Sequence, residues 1–275
     1  MKLTLKEANK IMATHNGNLD LYDRDDITEL PEGLKVKGYL DLTGTQVTSL
    51  PDDLQVGDWL DLYRTQITEL PDNLEVGGSL YLAGMPITKL PNNLKVGGDL
   101  DLKGIQITKL PNNLEVGGYL NLAGTQITKL PNNLKIGGCF NLTRTPITKL
   151  PNNLEVGGDL NLTGTQITKL PNNLKVGGNL ILYGISITEL PDNLEVNGNI
   201  FMSNDTEIRD FEKYKREQVV VDDEKDSGGL WDKAGELAVQ IGLYLKENPP
   251  KDDTVYAEEY GQEIIYNAFK KIQNI

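Results

Sequence analysis

Hydrophobic positions recur along this chain with a fixed spacing. From residue 31 the pattern P-x-x-L-x-V-G-G-x-L-x-L-x-G-T-x-I-T-x-L returns every 20 residues, opening nine units from Pro31 to Pro191. Its L-x-L pair runs from Leu40/Leu42 through Leu180/Leu182 and decays to Ile200/Met202 in the last unit. An earlier, imperfect unit holds Leu19, Leu21, Ile27 and Leu30. Strict alternation in L-x-L predicts a short strand with one buried face. The Gly-Gly pair before it predicts a tight corner using the backbone freedom of glycine, including φ > 0. The G-T step predicts a second corner, and I-T-x-L a second alternating strand on another side of the coil. Proline then ends that stretch, because it has no N–H for a ladder bond. One coil cannot bury its own leucines, whereas stacked coils can. The expected fold is therefore a mostly β solenoid of nine to ten 20-residue coils spanning residues 16–204.

Different patterns flank the repeats. Residues 4–14 carry Leu5, Ala8, Ile11 and Met12 at helical spacing, which predicts a short helical cap over residues 1–15. Past residue 204 the repeat stops. Residues 205–228 are charged and contain one β-prone run, Val219-Val220-Val221. Two amphipathic helices are expected over 229–247 and 254–273, separated by Pro249-Pro250. Residues 205–275 are thus expected to form a charged segment followed by a helical hairpin.

Composition narrows the function classes. The formal net charge is −13, with −7 of it in residues 201–275, which argues against nucleic acid and anionic membrane as partners. No apolar run approaches the roughly 20 residues of a membrane span. The opening MKLTLKEANK lacks the apolar centre of a signal peptide, so a cytoplasmic location is expected. A single cysteine, Cys139, excludes an internal disulfide and a cysteine-based zinc site, and a single histidine, His15, leaves little scope for histidine-dependent catalysis. No phosphate-binding loop is present, since the Gly-Gly pairs recur as corners. The sequence predicts no enzyme, no cofactor and no metal site.

The spacing L-x-L-x-x-T-x-I-x-x-L-P-x-x-L resembles the leucine-rich repeat in its short bacterial form. That form is known from effector proteins of bacterial pathogens and from bacterial and phage reading frames. The resemblance implies a binding scaffold rather than a particular activity. Two departures stand out. Threonine (Thr45, Thr65, Thr125, Thr145, Thr165) or an apolar residue (Met85, Ile105, Ile185) occupies the family's usual asparagine position. Glycine, as at Gly77 and Gly97, replaces its first leucine. The coil cross-section is expected to differ from the usual horseshoe accordingly.

Stacked coils let the sequence be read as columns about 4.8 Å apart along the axis. Three outward columns flank L-x-L. Their N-terminal half is acidic and aromatic, with Asp20, Tyr22, Tyr39, Asp41, Trp59, Asp61, Tyr63, Tyr81, Asp99 and Asp101. Their C-terminal half is rich in Asn and Thr. Solvent-facing aromatics beside carboxylates have the composition of a binding hot spot. Stacked carboxylates also repel, which a basic partner, a cation or hydration at the rim would offset; of these a protein with a basic patch is the expected partner, and a solvated charged edge is the alternative. A second column, Lys89, Lys109, Lys129, Lys149 and Lys169, offers a secondary anion-binding stripe or a solubilising row. A third alternates in sign from Glu75 and Lys95 to Glu195, as ion pairs between neighbouring coils would. The functional expectation is a protein-binding scaffold, a phage or bacterial modulator of another protein. The rivals are a repeat-targeted effector or toxin acting through residues 205–275, and a carbohydrate-binding surface.

Overall fold

The computed structural model describes residues 1–203 and the strand Val219–Asp222. The expected hairpin over 229–247 and 254–273 lies outside the described residues.

The chain winds into a β-solenoid with one coil per 20-residue unit. Its longer sheet has eleven parallel strands. It starts at Leu19–Asp20 and continues through Leu40–Asp41 and Leu60–Asp61 to Leu180–Ile181, Ile200–Ser203 and Val219–Asp222. Equivalent residues pair in strict register: Leu40 with Leu60, Leu60 with Leu80, Leu120 with Phe140. The leucines of L-x-L, together with Leu34, Val47, Leu54 and their counterparts, form buried columns that run through the coils. Each fully buried side chain of this size contributes about 1.5–3 kcal/mol. Because every coil presents the same apolar set, its neighbours complete its core.

The second sheet differs from the one expected. Its nine parallel strands are the two-residue segments just before each Gly-Gly, from Lys35–Val36 and Gln55–Val56 to Glu195–Val196. The I-T-x-L stretch forms no strand. Its Ile and Leu are buried and its Thr and Lys exposed, as in Ile107, Leu110, Thr108 and Lys109. Alternation records which side chains point inward. A ladder also needs backbone groups facing across the stack, and the proline that follows each stretch, as at Pro91 and Pro111, has no N–H to extend one.

The corners are built otherwise than expected as well. Positive φ sits at the G-T corner, at Gly44, Gly84, Gly104, Gly124, Gly164 and Gly184, where Arg64 and Arg144 adopt it too. The Gly-Gly pairs have no positive φ. Glycine is required there by close approach: a Cβ on Gly117 would lie 2.0 Å from the carbonyl oxygen of Gly97, and one on Gly137 would lie 2.2 Å from that of Gly117. This position is glycine from Gly57 to Gly177 and departs from it only in the end coils, at Lys37 and Asn197.

Four coils are fastened by a threonine inside the turn. The hydroxyls of Thr45, Thr65, Thr125 and Thr145 donate to the carbonyls of Leu42, Leu62, Leu122 and Leu142 at 2.7–2.8 Å. Thr165 lies in the same column, and its buried hydroxyl has no hydrogen-bond partner. On the surface, Lys95–Glu75, Lys135–Glu115 and Lys175–Glu195 pair between neighbouring coils, at 3.2, 2.5 and 3.4 Å. Exposed pairs of this kind contribute well under ~1 kcal/mol each.

The helix α1 (Leu5–Thr14) closes the N-terminal end. Thr4 caps it, accepting from the Glu7 N–H, while the Glu7 carboxylate accepts from the Thr4 N–H and hydroxyl. Ala8 and Met12 are buried against the first coil and Ile11 partly so; Leu5, on the same stripe, remains 40% exposed. Among the described residues, no helix is long and apolar enough to cross a membrane.

Candidate functional site

The acidic and aromatic residues singled out in the sequence share one face of the eleven-stranded sheet, across its first coils. Asp20 and Tyr63 are exposed; Tyr22, Tyr39, Asp41, Trp59, Asp61, Tyr81, Asp99 and Asp101 are half-buried. The parallel register places Asp20 beside Asp41, Asp41 beside Asp61, Asp61 beside Tyr81, and Tyr81 beside Asp101.

The central column also serves the backbone. One oxygen of each aspartate accepts the N–H two residues on: Asp20 from Tyr22, Asp41 from Thr43, Asp61 from Tyr63 and Asp101 from Lys103, at 2.8–3.0 Å. Such Asx bonds turn the chain out of the strand. Further along the same column, Asn121, Asn141 and Asn161 do the same job for Ala123, Thr143 and Thr163, at 2.9–3.1 Å. The bond therefore uses a side-chain oxygen and not a negative charge, and the coils of Tyr81, Ile181 and Phe201, in the same column, stack without it.

That charge is costly where it occurs. Burial pushes the Asp61 carboxyl up to about 6, and the neighbouring charges of Asp41 and Asp101 push the same way, against the hydrogen bonds from Tyr63 and Thr43. Burial raises Asp101 too, with Lys103 opposing. Tyr81, between them, has its phenol raised by burial and by Asp99, Asp61 and Asp101.

The first of the three outward columns, which precedes L-x-L and runs from Asn18 through Tyr39 and Trp59 to Asn199, is half-buried rather than solvent-facing. Its short polar side chains accept the N–H of the equivalent residue one coil later. Asn18 accepts from Tyr39, Ser79 from Asp99, Asp99 from Tyr119, Asp159 from Asn179 and Asn179 from Asn199, at 2.6–3.1 Å. Cys139 fits this series: its Sγ accepts from the Asp159 N–H at 3.3 Å, and burial raises its thiol. Tyr39 and Trp59 interrupt the polar run. Their rings stack in parallel, with centroids 4.2 Å apart and 5° between planes. In the outward column just after L-x-L, Tyr63 is 47% exposed, with the Arg64 guanidinium 5.2 Å from its ring centroid.

The lysine column lies on the I-T-x-L side of the coil, and all five residues are exposed. Lys169 approaches Glu189 at 3.5 Å. Among the described residues, Lys89, Lys109, Lys129 and Lys149 have neither an ion pair nor a hydrogen bond from their side chains.

Other candidate chemistry is structural. His15 ends α1, its Nδ1 2.9 Å from the Ile11 carbonyl oxygen. It borders a cleft of about 340 Å³ between α1 and the first coil, which Leu3, Glu7, Ile11 and Arg24 also line. Among the described residues, no group of three or more His, Cys, Asp or Glu side chains could hold a metal ion.

The face was legible in the sequence, but the Asx bonds that hold it were not. A signal was present: Asp and Asn interchange down one column with the same residue spacing. No protein-family model matches this chain, and no curated protein matches it either.

Proposed function

We propose that the chain is a non-enzymatic binding scaffold, of the short leucine-rich-repeat type, whose acidic–aromatic strand face takes a basic segment of another protein. One observation supports this above the others. Asp41, Asp61 and Asp101 hold negative charge in a column where Asn121, Asn141 and Asn161 make the same backbone bond without it. A half-buried carboxylate that the fold does not need lowers stability, and such losses concentrate at functional sites. A Lys or Arg side chain laid into the column offsets the repulsion. The adjacent Tyr39–Trp59 stack and Tyr63 add aromatic surface of the kind cations favour. The setting that fits the resemblance is a bacterial or phage protein acting on another protein in the cytoplasm.

The test is binding of a fluorescent oligo-arginine peptide to the full chain, followed by anisotropy. The double variant Asp61→Asn/Asp101→Asn keeps the backbone bonds and removes two charges. Binding about tenfold weaker than wild type is expected, and Trp59→Ala should weaken it as well. Equal binding by the double variant would refute the assignment of the face.

A further inference from the structure

We infer that the lysine column of one copy of this chain docks against the aspartate column of a second copy, so that the solenoid is its own basic partner. The inference rests on the reading of the strand face given above and names the partner for that face.

Its first support is a shared period. Both columns place one residue on each coil, so the same axial step of about 4.8 Å governs both. Lys89, Lys109, Lys129, Lys149 and Lys169 occupy five consecutive coils, and so do Asp20, Asp41, Asp61, Tyr81 and Asp101. Four steps make each row about 19 Å long. A ligand with another charge spacing loses register along such a row, whereas a second copy keeps it from end to end. At the one coil without a carboxylate, Tyr81 presents a phenol instead.

The second support is contrast within the molecule. In the column from Glu75 to Glu195, successive coils alternate in sign and form three ion pairs between neighbours, Glu75–Lys95, Glu115–Lys135 and Lys175–Glu195. The lysine column stays positive for five coils and turns acidic only beyond its ends, at Glu69 and Glu189. Like charges at this spacing repel. Among the described residues, nothing pairs with the side chains of Lys89 to Lys149. Each column thus carries the charge that the other lacks.

Geometry sets the kind of assembly. The lysines lie on the I-T-x-L side of the coil and the aspartates on the strand face, in a row that begins three coils earlier and overlaps the lysine row in the units of Lys89 and Lys109. The contact is heterologous: each copy uses one surface as donor and another as acceptor, and the interaction adds further copies instead of closing. The net charge of −13 opposes association, but salt at about 0.1 M screens that repulsion beyond about 10 Å. A patch about 19 Å long buries less than a stable interface needs, so the association is weak and salt-sensitive.

Sedimentation velocity of the full chain across a concentration series, at about 0.1 M and about 0.5 M salt, tests this. The expected result at the lower salt is a concentration-dependent rise in sedimentation coefficient that continues past a dimer and disappears at the higher salt. Lys109→Glu/Lys129→Glu/Lys149→Glu, all at exposed positions, should abolish the rise while keeping the wild-type circular dichroism spectrum. Asp61→Asn/Asp101→Asn should reduce it. A chain that stays monomeric at every concentration overturns the inference, as does association that the triple lysine variant leaves unchanged. Oligo-arginine binding by a strictly monomeric chain would overturn this inference alone and leave the strand-face reading standing. Failure of the peptide to bind would count against that reading instead.

Discussion

Asp61→Asn should stabilise this protein at neutral pH and leave its stability almost unchanged in acid. The substitution keeps the acceptor for the Tyr63 N–H, which Asp61 Oδ1 holds at 2.8 Å, because Asn121, Asn141 and Asn161 make the same bond in later coils. It removes a carboxyl whose folded-state pKa is raised from 3.8 to about 6. Between those two values the folded chain binds more proton than the unfolded chain, so stability falls as pH rises through the window. Above it the full penalty applies, and below it none. At 1.36 kcal/mol per pH unit the ceiling is about 3 kcal/mol. Partial solvent contact lowers the expectation to about 1–2 kcal/mol. Urea denaturation of wild type and variant at pH 7.5 and pH 4 measures the difference directly. A variant less stable than wild type at pH 7.5 would refute the reasoning, because it would show that the charge supports the fold. An equal gain at both pH values would refute the electrostatic cause. The same substitution is expected to weaken capture of a basic peptide, so stability and binding should move in opposite directions.

Further expectations concern the coil itself and the pH dependence of the face. Thr165→Val removes a buried hydroxyl without a partner and should stabilise by about 1 kcal/mol, whereas Thr125→Val deletes the bond to Leu122 and should destabilise by a similar amount; denaturation midpoints of the two variants should shift in opposite directions. Gly117→Ala puts a methyl 2.0 Å from the Gly97 carbonyl oxygen and should cost more than about 3 kcal/mol. Gly33→Ala, where φ is +73 and nothing lies within 4 Å, should cost only about 1–2 kcal/mol in the same assay. Oligo-arginine affinity should fall as pH drops through about 6, where Asp61 takes up its proton; a flat profile from pH 7.5 to pH 5 would count against a role for this carboxylate.

The 20-residue period made the coil and its buried columns legible, because a repeated L-x-L has few other ways to hide its leucines. What the period did not encode was how one coil touches the next. The Gly-Gly pair reads as a flexible corner until a neighbouring carbonyl is placed 2.0 Å from the missing Cβ of Gly117. The I-T-x-L alternation likewise separates inside from outside at Ile107 and Thr108 but says nothing of the backbone groups that form a ladder. The acidic face was legible as a column, yet repulsion among Asp20, Asp41 and Asp61 was the only energy visible in it. Their bonds to backbone N–H groups two residues away depend on the turn that follows the strand. Trp59 read as solvent-facing because its stacking on Tyr39 arises from coil-to-coil approach, which a linear sequence does not display.

The series of bonds in the first column has a direction. Asn18, Ser79, Asp99, Cys139, Asp159 and Asn179 each offer an acceptor to a coil that follows in sequence. A ribosome releases the chain N-terminus first. As each of these coils docks, its acceptor stands on the growing end before the donor it will bind has been made. The N-terminal helix closes the end that needs no predecessor, and the opposite end keeps a template open for the coil to come. Synthesis and stacking can then proceed in the same order, which shortens the time that each new set of leucines spends exposed to water.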